Sequence, residues 1–178
     1  MSTDSSTQHA ACPSLPAGED CPVLRVARAM RKNVDGCIYD SAEKGLSPDA
    51  VLTALQSRER VLIAVETKDG WFGSYHAYLP KEAMQDSLRG DAELRIVEST
   101  PAATRVFSPR VASDAVPCFF GSKSRTSFGV FFGYWLRADG TYVIDSAIND
   151  SFTSPTGAFG MVSGTALRVR AWSLSDAK

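Results

Sequence analysis

Charge of one sign is what this chain most lacks. Its 178 residues carry 19 Lys and Arg against 20 Asp and Glu, a formal net charge of −1. So close a balance excludes the broad basic field by which proteins collect on nucleic acid, and any cationic surface has to be local. Histidine and cysteine are also scarce, at two and four residues. Cys12, Cys21, Cys37 and Cys118 form no C-x-x-C pair, and His9 and His76 follow no zinc-ligand spacing. We therefore expect no metal site, no cofactor and reduced thiols. Long apolar runs are missing too. A membrane-spanning helix needs roughly 20 apolar residues in succession, and Gly129, Gly133, Arg137 and Asp139 interrupt the richest stretch. The opening MSTDSSTQHAACPSLPAGED has neither the basic nor the apolar region of a secretory signal, and Ser2 stands where myristoylation requires glycine. The expectation is a cytoplasmic protein with no nucleic-acid partner and no membrane insertion.

What is present suits one domain with a proper core: 44% hydrophobic and 10% aromatic residues. Residues 1–20 are rich in Ser, Thr, Pro and Ala and read as a disordered tail, leaving 21–178 as a single domain. PVLRVARAMRKN sets Val23, Val26, Ala27 and Met30 on one side at helical spacing, with Pro22 in the first turn. DGCIYDSAEKGL reads as a turn-rich connection. SPDAVLTALQS predicts a second helix, capped by Ser47, opened by Pro48 and Asp49, and buried through Val51, Leu52 and Leu55.

After Arg60 the period changes. VLIAVE and WFGSYHAYL flank Asp69-Gly70, a hairpin signal, and PKEAMQDSLRG reads as a short helix. ELRIVES, TRVFS and AVPCFF predict further strands. FGVFFGYWL is expected to form one central strand, with Phe128, Val130, Phe132 and Tyr134 on one face and Phe131 and Trp135 on the other. Both faces would then be covered, and the chain would turn back at Ala138-Asp139-Gly140. Gly129 and Gly133 would permit a bulge or close packing. TALRVRAWSL alternates Leu167, Val169 and Ala171 against Arg168, Arg170 and Trp172. About seven short strands after two helices give a mainly antiparallel α+β domain.

The order of these segments resembles the TLDc domain of oxidation-resistance proteins. The likeness begins at IYDSAEKGLSPDAVLTAL, continues through VLIAVETKDGWFGSYHA and CFFGSKSRTSFGVFFGYWLRADGTYVIDSAINDSF, and closes on LRVRAW, so it spans about residues 37–174. Ile144, Asn149, Ser154 and Arg170 depart from the family's pattern. The resemblance implies a two-sheet antiparallel β-sandwich with flanking helices. It also implies a non-enzymatic interaction module, a role in oxidative-stress resistance, and a subunit of the V-type proton ATPase as partner. It brings no catalytic residues.

Read as chemistry, the side chains offer few constellations. Cys118 and His76 could make a thiolate–imidazole pair if their strands were neighbours, although Cys118 lies in an apolar run that suits a small hydrophobe. GSKSRTS lacks the P-loop spacing but combines Lys123 and Arg125 with glycine and serine. With Arg168 and Arg170 it would form a basic face, and the same loop supports the alternative of a small enzyme or anionic-ligand-binding domain. The two strand arginines are equally explained as charges guarding an edge strand. Arg89-Gly90-Asp91 reads as a helix stop, and Asp139, Asp145 and Asp150 as turn residues.

Overall fold

The computed structural model describes residues 21–81, 91–110 and 119–178. The expected tail, the 82–90 part of the PKEAMQDSLRG helix and the start of AVPCFF lie outside the described residues. Helix α1 (Pro22–Ala29) forms where the spacing predicts it, burying Val23, Val26 and Ala27 and leaving Met30 at its C-cap. Helix α3 (Pro48–Leu55) follows the short α2 (Ser41–Lys44). Ser47 Oγ accepts the Ala50 N–H at 3.5 Å, and Val51, Leu52 and Leu55 are buried.

Twelve strands occur among the described residues. One sheet has seven, in the order β1 (Lys32–Asp40), β12 (Arg168–Asp176), β2 (Glu59–Thr67), β3 (Gly70–Tyr78), β4 (Arg95–Ser99), β5 (Thr104–Pro109) and β10 (Phe152–Thr153). The other has five: β11 (Gly164–Thr165), β9 (Thr141–Ile144), β8 (Tyr134–Arg137), β7 (Ser127–Val130) and β6 (Phe119–Gly121). Every pairing is antiparallel. The expected α+β architecture of two antiparallel sheets with flanking helices is therefore the one observed.

The core has two parts because the large sheet is covered twice. Val61, Ile63 and Val65 of β2 face the small sheet, and the alternate Leu62 and Ala64 face α1 with Trp71, Tyr75 and Trp172. Between the sheets Phe72 packs edge-on against Tyr134 at 5.0 Å and, tilted, against Tyr142 at 4.8 Å. Phe72 and Tyr134 are fully buried. A phenylalanine buried this completely contributes about 1.5–3 kcal/mol, so the ring cluster is a large share of the bond between the sheets.

Three expectations are corrected. DGCIYD belongs to a strand, β1, whose alternation is broken by register shifts at Val34/Gly36 and Cys37/Tyr39, which hides it from a period-2 reading. β12 is internal, between β1 and β2, so Arg168 and Arg170 guard no edge. FGVFFGYWL is not one strand. It folds into β7 and β8 around a tight turn, with Val130 paired to Tyr134 and the Gly133 N–H donating to the Val130 carbonyl at 3.0 Å. Phe128, Val130, Tyr134 and Leu136 enter the core, whereas Phe132 sits in the turn at φ +59° and is exposed. No Asn or Gly occupies that left-handed position, so the turn is strained by about 1–2 kcal/mol.

Gly129 makes this hairpin possible. A Cβ there would lie 2.0 Å from the Tyr134 carbonyl oxygen and 2.6 Å from the Trp135 Cα. Gly129→Ala should therefore destabilise the fold by about 1–3 kcal/mol in urea titration. Gly36→Ala, where an added Cβ meets nothing within 4 Å, should stay within about 0.5 kcal/mol of the parent.

Candidate functional site

Lys123 and Arg125 occupy the connection between β6 and β7, while Arg168 and Arg170 project from β12 in the other sheet. The structure thus keeps each pair together and places the two pairs on different sheets. All three arginines are engaged with carboxylates. Arg125 pairs with Asp49 and donates to Thr53 Oγ1 at 2.7 Å. Arg168 grips Asp40 through two nitrogens, Nε lying 2.8 Å from Oδ1, and holds that carboxyl below its ordinary pKa. Arg170 pairs with Glu66 and lies over the Trp172 ring at 5.1 Å. Within the 122–126 turn, Ser122 Oγ accepts the N–H groups of Thr126 at 3.0 Å and Ser127 at 3.1 Å. Those two donors are spent inside the loop instead of facing an anion.

The nucleophile reading fares differently. Cys118 lies outside the described residues. His76 is completely buried in β3, with Nε2 2.6 Å from Ser74 Oγ, and that hydroxyl is in turn 2.7 Å from the Tyr134 hydroxyl. Phe119 packs against the imidazole at 5.2 Å. Burial lowers the His76 pKa to about 3, so the ring is neutral through the physiological range, and burial raises that of Tyr134. Ser74 and His76 have no exposure at all. The chain His76–Ser74–Tyr134 therefore stitches the sheets together and offers nothing to a substrate.

Other sequence candidates resolve as structural. Asp139 Oδ1 accepts from the Thr141 backbone at 2.9 Å and hydroxyl at 2.6 Å. Asp145 Oδ1 accepts the Ala147 N–H at 2.8 Å. Asp150 lies in α4 (Ile148–Ser151). Glu98 was not singled out from sequence, yet it is a buried carboxylate. It receives Arg105 at 3.0 Å and the N–H groups of Gly160 at 2.9 Å and Met161 at 3.0 Å, pinning the 154–163 loop. Cys21 is buried and disulfide-bonded, which corrects the expectation of reduced thiols, while Cys37 is free. Among the described residues no cluster of His, Cys, Asp or Glu could hold a metal ion, and no helix is long and apolar enough to cross a membrane.

The feature sequence reasoning missed is on the outer face of the small sheet. Phe120, Gly129, Trp135 and Val143 form one cross-strand row there. Beside this row lies a groove of about 510 Å³, lined by Phe120 and Trp135. Phe131 closes over Phe120 at 4.7 Å, and Phe132 stands at the rim. Ser122, Ser127 and Asp145 complete the lining, and Asp145 is its one charged member among the described residues. The Asp145 N–H donates to the Gly133 carbonyl at 2.9 Å, tying the carboxylate to the aromatic turn. Strict alternation assigned Phe131 and Trp135 to a covered face; the missed signal was Gly133, which marks a turn.

No protein-family model matches the chain, and no curated protein is significantly similar to it.

The His76 site makes a pH prediction. The folded pKa of about 3 lies below the ordinary 6.5, so the unfolded chain binds the proton first. Between those values stability falls as pH falls, by an amount on the order of 4 kcal/mol at the acid end. Above pH 6.5 the group contributes no slope. Denaturant titrations from pH 7 to pH 3.5 should show His76→Phe losing less stability than the parent over that window. Equal losses would mean that His76 takes up its proton in the native state.

Proposed function

We propose that this chain is a non-enzymatic protein-interaction module of the TLDc type, binding the V-type proton ATPase and contributing to oxidative-stress resistance. The observation that carries this reading is the architecture. Two antiparallel sheets with flanking helices are what the resemblance over residues 37–174 implies. The binding reading is preferred to an enzymatic one because Ser74 and His76, the hydroxyl and imidazole held together, are sealed from solvent. The alternative, an anionic-ligand-binding domain on the Lys123/Arg125 loop, has less support because Arg125 is committed to Asp49 and Thr53.

A cytoplasmic location goes with this proposal. The disulfide at Cys21 weighs against it, because structural disulfides are rare in the reducing cytosol. The conflict is open to direct measurement. Thiols in intact source cells are trapped by acid, the protein is denatured and alkylated, and its peptides are read by mass spectrometry. A cytosolic pool would hold this disulfide reduced in cells, so the proposal expects Cys21 to be alkylated as a thiol in that sample. A blocked Cys21 in that sample would point to an oxidising compartment and remove the cytosolic face of the pump as a partner.

The partner itself is tested by pull-down with the full chain from a lysate of the source cell. V-ATPase subunits should be enriched, and Lys123→Glu should leave the enrichment unchanged. A folded bait that captures no pump subunit sinks the assignment. Loss of capture by Lys123→Glu would return the binding face to the basic loop.

A further inference from the structure

Aromatic surface in water is costly unless something covers it, and the small sheet leaves a coherent patch of it uncovered. Phe120, Phe131 and Trp135 are each half-buried, and Phe132 is 37% exposed. These rings are not leftovers of a crowded core. They lie on the face opposite Phe128, Val130 and Tyr134, and they border the groove beside Trp135. At the turn end of the groove sits Asp145, whose Oδ1 is occupied by the Ala147 N–H. Among the described residues the groove therefore combines electron-rich ring faces with a single carboxylate, and none of them brings a cation to its lining.

That combination selects a cation. Ring faces attract positive charge through their quadrupoles, and the attraction grows as water is excluded. The choice among cations follows from hydration and shape. A lysine ammonium is compact and strongly hydrated, and it would exchange its waters for one carboxylate. A guanidinium is planar and weakly hydrated, stacks on aromatic faces, and presents several N–H donors at once. Here Asp145 can accept some of those donors and the Ser127 hydroxyl another. The groove is open along one side, so a side chain can enter while its backbone stays outside. We propose that this groove is a docking site for an arginine side chain presented by a partner polypeptide. The proposal rests on the interaction-module reading and supplies the chemistry of the partner's anchor, consistent with the frequency of arginine among residues that dominate interface energies.

The test uses the full chain and a capped pentapeptide, Gly-Gly-Arg-Gly-Gly, with citrulline and lysine versions as controls and choline as a further probe. Trp71 and Trp172 are buried, so Trp135 is the half-exposed reporter for a fluorescence titration. The arginine peptide should give a saturable change in the millimolar range, and the citrulline peptide should bind about tenfold more weakly. Asp145→Asn keeps an oxygen for the Ala147 N–H and should fold like the parent, yet lose about tenfold in arginine-peptide affinity. Phe132→Ala should weaken binding without changing the fold. Equal binding of arginine and citrulline, tighter binding of lysine or choline, or no saturable change would each overturn the proposal. The pump pull-down is repeated with Asp145→Asn. If the parent captures pump subunits and this variant captures them equally, the interaction-module reading stands and the arginine site falls. If the parent captures none while the peptide arm succeeds, the groove stands and the pump assignment falls.

Discussion

The two sheets are joined through a buried phenol that cannot be left alone. Tyr134 supplies ring surface to Phe72, and its hydroxyl has to find a partner in the dry space between the layers. Ser74 provides it from the facing sheet, and His76 satisfies Ser74 in turn. An unmade hydrogen bond at such depth costs about 1–3 kcal/mol, which is enough to fix the relative position of β3 and β8. Once that contact is set, Gly129 has to lie against the Tyr134 carbonyl, and the chain between them has to reverse within three residues. The left-handed backbone at position 132 belongs to that reversal.

Much of this architecture was legible because it is local. The Asp69-Gly70 hairpin, the Ser47 cap and the apolar stripe of α1 each announce themselves within about ten residues. The alternation of Val169 and Ala171 against Arg170 and Trp172 likewise survives in β12, whereas Leu167, expected on the same face, lies before the strand and is exposed. What was lost is what alternation cannot carry. β1 contains two register shifts, so its apolar residues fall out of phase. The aromatic arm fails for a different reason: when nearly every residue is large, a turn and a doubly covered strand look alike. Gly133 was the discriminating residue, and its meaning depends on a partner strand that sequence spacing does not name.

The candidate site was less legible than the fold, and charge shows why. Arg125 and Arg170 look like free cations in a linear reading. Their carboxylates, Asp49 and Glu66, lie 76 and 104 residues away. Glu98 is the converse case, an ordinary acid in sequence that becomes the buried anchor for a loop more than sixty residues downstream. Positive charge in this molecule is thus spent mainly on internal order. Partly exposed pairs of this kind add little stability individually, but they remove cations from the surface available to a ligand. An anion-binding face built from them would first have to release them from their own acids.

The aromatic groove carries the opposite balance, and that asymmetry bears on function. Its cost is visible: a phenylalanine in the left-handed region and four rings in contact with solvent or nearly so. Neither is required by the core, since Tyr134, Val130 and Phe128 already fill the inner face. A glycine or asparagine at position 132 would relieve the backbone strain, because both tolerate positive φ. A polar residue at position 135 would keep the β8 ladder intact, because that side chain points away from the core. Physical economy alone therefore does not explain Phe132 and Trp135. Covering them with a planar cation does: it removes ring surface from water and meets the charge on Asp145 in the same step.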